Sequence, residues 1–195
     1  MATQYVNRES MNTKSRHVTL TFMDKDEGQR VVGSPDPLPM ADINHVRLHE
    51  GRAFYAYFLN GDANQLADDA SIDIAVAWAS GKLPHLVFDV RCGGDAEFTI
   101  FENATVTGGT SFTAINRYRS SANTSSSAIL INPTVTTTGT AITGEFLAGG
   151  SGGQATGSAA FSFQYVLAPL TTYLFRLTNR SGQAHMAHVM IEWYE

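Results

Sequence analysis

From about residue 43 onward, apolar and polar positions alternate with a period of two, the signature of strands buried on one face. The clearest run is 71–78, where Ile72, Ile74, Val76 and Trp78 share a side, although Ala75, Ala77 and Ala79 soften the contrast. Similar runs predict strands at 53–59, 85–91, 95–102, 161–167, 172–178 and 185–194. Residues 43–48 read the same way, with Ile43, His45 and Arg47 on one side and Asn44, Val46 and Leu48 on the other. Within 95–102, Phe98 and Ile100 share a face and Phe101 takes the other. Cys92-Gly-Gly94 predicts a hairpin, because glycine accepts the positive φ of tight turns. About eight main strands at this spacing predict an all-β, antiparallel β-sandwich of jelly-roll-like form, with no helix beyond one turn near 64–69.

Two regions break the pattern. Residues 103–158 are rich in Thr, Ser, Gly and Asn and read as loops, with short strands at 128–131 and 134–142. Residues 1–40 read as an extended N-terminal arm and linker ahead of a 41–195 sandwich domain. The arm holds one alternating run, Val18, Leu20 and Phe22, then a charged turn at 24–28. It ends in Gly33-Ser-Pro-Asp-Pro-Leu-Pro39, whose prolines fix φ and remove amide donors, excluding helix and inner strand.

Composition narrows the function classes. The net charge of −5 argues against nucleic-acid binding, which needs a basic surface. The charge is uneven: 1–19 carries Arg8, Lys14 and Arg16 against Glu9, whereas 24–73 carries ten acids against four bases. Charged residues are only 16% of the chain, below the roughly 25% of ordinary soluble proteins, which suits a surface that packs against partners. Cys92 is the single cysteine, so no internal disulfide and no four-cysteine zinc site can form. The start, Met-Ala-Thr-Gln-Tyr, lacks a secretory pattern and there is no 18-residue apolar run. A soluble protein made in the cytoplasm, away from membranes, is the expectation.

Candidate chemistry is thin. On the strand reading, His45 and His49 stand about 13 Å apart, too far to share a metal. His185 and His188 would point to opposite faces. Asp68, Asp69 and Asp73 lack the glycine-punctuated acid spacing of a calcium loop. There is no G-x-S-x-G, and the glycine-rich run at 149–157 lacks the Lys-Ser/Thr ending of a phosphate-binding loop. No catalytic residue, cofactor or metal site is therefore predicted. Aromatics on both faces at Phe54, Tyr55, Tyr57 and Phe58 predict core plus interface, with a sugar-binding platform as the alternative.

Segments 41–51 with Phe54, 85–90, 96–102, Asn116-Arg-Tyr-Arg119, 167–179 and the terminal Ile191-Glu-Trp-Tyr-Glu195 follow one another in a set order. Together they resemble the head decoration (capsid cement) proteins of tailed bacteriophages. The resemblance covers about 41–195 and rests on the order of these segments. It implies a structural virion protein on the outer capsid surface, made in the host cytoplasm. Its partners would be the major capsid protein and copies of itself, as a dimer or trimer, with neither nucleic acid nor membrane. A tail-fibre or receptor-binding module that recognises carbohydrate is the competing reading. The candidate interface residues are Val18, Leu20 and Phe22 in the arm, Asn116, Arg117 and Arg119, and the terminal pair Trp193 and Tyr194. Arginines flanking one aromatic suit carboxylate clamps between subunits.

Overall fold

In a computed structural model, the residues described are 4–5, 21–24, 28–31, 43–79, 81–149, 157–160 and 164–195. The chain divides into two compact units, Met1–Asp42 and Ile43–Glu195. The first contains an antiparallel three-stranded sheet of β1 (Gln4–Tyr5), β2 (Thr21–Asp24) and β3 (Gly28–Val31), in that order. Asp24 and Gly28, which flank the predicted turn, pair at the ends of β2 and β3, and Phe22 falls in β2; residues 25–27 lie outside the described residues. Val18, Leu20 and the 33–39 proline run lie outside the described residues.

The second unit is an antiparallel β-sandwich. Its long strands are β4 (Ala53–Asn60), β5 (Ser71–Trp78), β6 (His85–Cys92), β7 (Ala96–Glu102), β13 (Thr140–Leu147), β16 (Thr172–Asn179) and β17 (Ala187–Tyr194). Shorter strands are β8 (Thr105–Thr107), β9 (Thr110–Phe112), β10 (Ile115–Asn116), β11 (Ser127–Ile131), β12 (Thr134–Thr137), β14 (Gly157–Ala160) and β15 (Tyr165–Val166). Sheet one runs β10-β4-β17-β6-β14, with β15 also on β6, and sheet two runs β13-β7-β16-β5-β11-β9. Let β4, β5, β6, β7, β13, β14, β16 and β17 be first to eighth. Sheet one then reads first, eighth, third, sixth, and sheet two fifth, fourth, seventh, second. This interleaving is the eight-stranded double Greek key of a jelly roll.

Alternation builds the core. Phe54, Ala56, Leu86, Phe88, Ile191 and Trp193 point inward from sheet one, and Ile72, Ile74, Trp78, Phe98, Phe175 and Leu177 from sheet two. The Phe88 and Phe98 rings meet at 4.8 Å, and the Trp78 and Trp193 indoles cross at 5.6 Å and 82°. The edge-to-face indole contact suits the ring quadrupoles, and each fully buried Phe, Leu or Ile side chain contributes roughly 1.5–3 kcal/mol.

Two expectations are corrected. Residues 43–48 do not form a strand: Ile43–His49 is a helix, α1. It stops in a Schellman motif, with Gly51 at φ 66°, Gly51 N donating to Leu48 O and Arg52 N to Arg47 O. Cys92-Gly-Gly94 is not a hairpin, because β6 belongs to sheet one and β7 to sheet two. It is the corner between sheets. A side chain on Gly94 would lie 2.6 Å from His185 and Ser181, so close passage under that loop requires glycine.

The Thr/Ser-rich stretch also holds more strand than its composition predicts, with β8 to β13 all between 105 and 147. Strands β8 and β12 form a two-stranded ribbon. Ala104, Val106 and Val135 pack there with Ala75, Phe101, Leu130 and Leu174 from sheet two, forming a second small core. This roof explains the softened contrast in 71–78: Ala75, facing outward, is only 2% exposed. Gly139 lets the chain return from β12 to β13. Its φ is 81°, and a Cβ there would sit 2.1 Å from Glu102 O.

Candidate functional site

Among the described residues, the outer face of sheet one carries aromatic and apolar side chains that stay partly or largely exposed. Outward positions bring Tyr55, Tyr57 and Leu59 of β4 beside His188, Met190, Glu192 and Tyr194 of β17, then His85, Val87, Asp89 and Arg91 of β6. Tyr55 and Tyr57 stack at 6.2 Å, and Tyr57 also meets His188 at 6.4 Å and Phe112 at 5.9 Å. Tyr57 is 41% exposed and Leu59 58%. The aromatic set at 54–58 therefore splits as alternation requires. Phe54 and Phe58 face the core, and Tyr55 and Tyr57 face outward.

At one end of this face lies a pocket of about 300 Å3. Helix α1 contributes His45 and Leu48, and the sheet contributes His85, Val87, Glu192 and Tyr194, with Arg117 on the wall. Tyr194 is held on three sides. Its ring stacks on His85 at 4.7 Å and 11°, the Arg47 guanidinium lies 6.0 Å from its centroid, and its hydroxyl meets Gln164 Oε1 at 3.2 Å. Arg47 also pairs with Glu50 at 2.9 Å. The pocket thus has an apolar floor and a wall of paired charges and rings, able to hold a small polar ring or a side chain.

The interface residues named from sequence separate into different roles. Asn116 is a framework residue: its amide donates to Gly51 O at 2.9 Å and Asn123 O at 3.0 Å, and its Oδ1 accepts from Tyr118 N. Arg117 does clamp a carboxylate, but that carboxylate is Glu192 of the same chain. Arg119 is exposed and donates to Asn116 O at 3.3 Å. Trp193 is corrected as a surface residue, since it is 2% exposed and packs between the sheets. Tyr194, its neighbour, is half-buried on the outer face. Of the arm residues, only Phe22 falls among those described.

The acidic candidates do not converge on an ion. Asp73 is paired in two parallel hydrogen bonds with Arg176, at 2.7 and 2.8 Å. Asp69 pairs with Arg180, which also holds Glu97, while Asp68 accepts from Gly182 N. Among the described residues no group of three or more His, Cys, Asp or Glu stands together.

Sequence reasoning missed α1 and with it the pocket. The usable signal was the helix stop: basic Arg47 and His49 in the last turn, then Gly51. Glu195 was also passed over. Its carboxylate accepts from Ser126 N at 2.8 Å and Ser126 Oγ at 2.6 Å, anchoring the 120–127 segment to the end of β17. Comparison with protein-family models, curated proteins and solved structures finds no match for this chain.

Proposed function

We propose that the chain is a non-enzymatic structural subunit, a decoration protein that binds the outside of a tailed-phage capsid and reinforces it by bridging capsid subunits. The observation that carries this reading is the open outer face of sheet one. It sets Tyr57 and Leu59, both more than a third exposed, on rigid strands backed by the sandwich core. Contiguous apolar surface of this kind marks protein contact sites. The resemblance of 41–195 to decoration proteins supplies the partner: the major capsid protein, with copies of the chain as dimer or trimer. Avidity from several weak contacts suits such reinforcement. The basic 1–19 arm, ahead of an acidic body, is assigned to the same grip.

Co-sedimentation with heads lacking decoration tests the proposal. Saturable binding is expected, and it should be lost in the doubly substituted Tyr57→Asp, Leu59→Asp chain and weakened by deletion of residues 1–32. Absence of binding by the parent chain overturns it. A carbohydrate-binding fibre module is the second reading, favoured by the pocket beneath α1 with its Tyr194–His85 stack. Retention on immobilised glycans, lost on Glu192→Ala, would support that reading over the first.

A further inference from the structure

On a strand, His45 and His49 would stand about 13 Å apart. The helix changes that relation: residues four apart on a helix are neighbours on one face. Their ring centroids are 4.5 Å apart with the planes at 62°, and both side chains are exposed. His49 also approaches Tyr118 at 6.4 Å. The Schellman stop at Gly51 fixes the helix end next to this pair.

From this juxtaposition we infer that His45 and His49 form a two-ligand site for a borderline divalent transition metal, Cu2+, Ni2+ or Zn2+. Imidazole nitrogen is the ligand such ions favour, whereas Ca2+ and Mg2+ select oxygen. Both side chains are exposed, so binding requires little desolvation of the ligands. No third His, Cys, Asp or Glu joins them among the described residues. The remaining coordination positions therefore go to water or to a donor atom from a partner. Affinity follows the usual order for such ligands, strongest for Cu2+. An ion here staples one turn of a seven-residue helix, a length that is marginal without outside support. His45 also lines the pocket, so the same staple fixes that wall. The inference rests on the helix and stands whether or not the chain decorates capsids.

Calorimetric titration of the full chain with Ni2+ or Cu2+ alone, at neutral pH, tests it. One ion per chain is expected, with affinity falling at least about tenfold in His45→Ala and in His49→Ala, because each loses chelation by a linked donor. His185→Ala should bind like the parent. Because both α1 histidines are exposed, circular dichroism of the variants should match the parent. The melting temperature of the parent should rise with metal, and that rise should disappear in either α1 variant. No binding by the parent, or binding by either α1 variant as tight as the parent's, overturns the inference.

Discussion

On sheet two the outward row Ala75, Phe101, Leu130 and Leu174 is roofed by the β8–β12 ribbon, whereas on sheet one the outward row Tyr55, Tyr57, Leu59 and His188 has no such roof among the described residues. Both rows come from strands with the same period of two. The difference lies in side-chain choice. Sheet two places purely apolar residues outward beneath the ribbon, and sets the Asp73–Arg176 pair on the same strands. Sheet one places tyrosines and histidine outward, whose polar atoms tolerate water while their rings stay available for contact. Alternation says which residues face out; the residue types say whether the outside is a second core or a contact surface.

The largest expected effect breaks the closed side. Leu174 is fully buried beneath the ribbon, so Leu174→Ala should cost about 2–5 kcal/mol. Leu59, 58% exposed on the open side, should cost within about 0.5 kcal/mol when changed to Ala. Urea denaturation of the two variants measures both. Equal losses would mean that sheet one is roofed as well, and the contrast between the faces would fail.

The ion pairs sharpen the contrast at a smaller scale. Removing one partner from a fully buried pair costs about 3–5 kcal/mol. The Arg176 side chain keeps 27% of its surface exposed, so Arg176→Met should cost about 1–3 kcal/mol after allowance for solvent screening. On the open face Arg91, its side chain 61% exposed, pairs with Asp89 at 2.7 Å, and Arg91→Ala should leave the urea midpoint nearly unchanged. A comparable loss in both would show that exposure does not separate the two pairs.

A still smaller stability effect is expected at Arg117, 48% exposed and paired with Glu192. The double change Arg117→Ala, Arg119→Ala should cost under about 1 kcal/mol. Because Arg117 spends its charge within the chain, sedimentation of the free protein should show an unchanged oligomeric state. A shift toward monomer would return these arginines to the subunit interface.

Much of this was legible in the sequence, and the failures have physical causes. Strands β4 to β7, β16 and β17 follow from alternation, because each buries one face against the opposite sheet. Helix α1 did not, because seven residues alternating as Ile43 to His49 fit a strand as well as two turns of helix. Only the stop signal at Gly51 separates them. The corner at Gly93-Gly94 reads like a hairpin because glycine serves tight turning and close passage alike. Trp193 and Tyr194 were paired as interface, yet adjacent strand residues face opposite ways, so one had to enter the core. The ribbon was hidden by composition: threonine-rich runs look like loops until β-branched side chains find a sheet to pack on.

The mildest effect probes the open face through pH. Partial burial lowers the pKa of His188 below the ordinary 6.5, with Asp89 opposing that shift and Arg91 adding to it. The folded state therefore resists a proton that the unfolded chain accepts. Well above pH 6.5 the imidazole is neutral in both states and contributes no pH dependence. As pH falls through 6.5 the unfolded chain gains the proton first, so stability declines until the lower folded pKa is passed. His188→Gln should remove that part of the decline. Urea midpoints of parent and variant at pH 7.5 and 5.5 measure it, with a slightly steeper loss expected in the parent. Identical slopes would mean that the imidazole is as well hydrated in the fold as in the open chain. A partner seated on this face would desolvate His188 further, so the proposed capsid binding should weaken below pH 6.5. That weakening should be reduced in His188→Gln, linking a group on this face whose pKa is lowered to the surface assigned to contact.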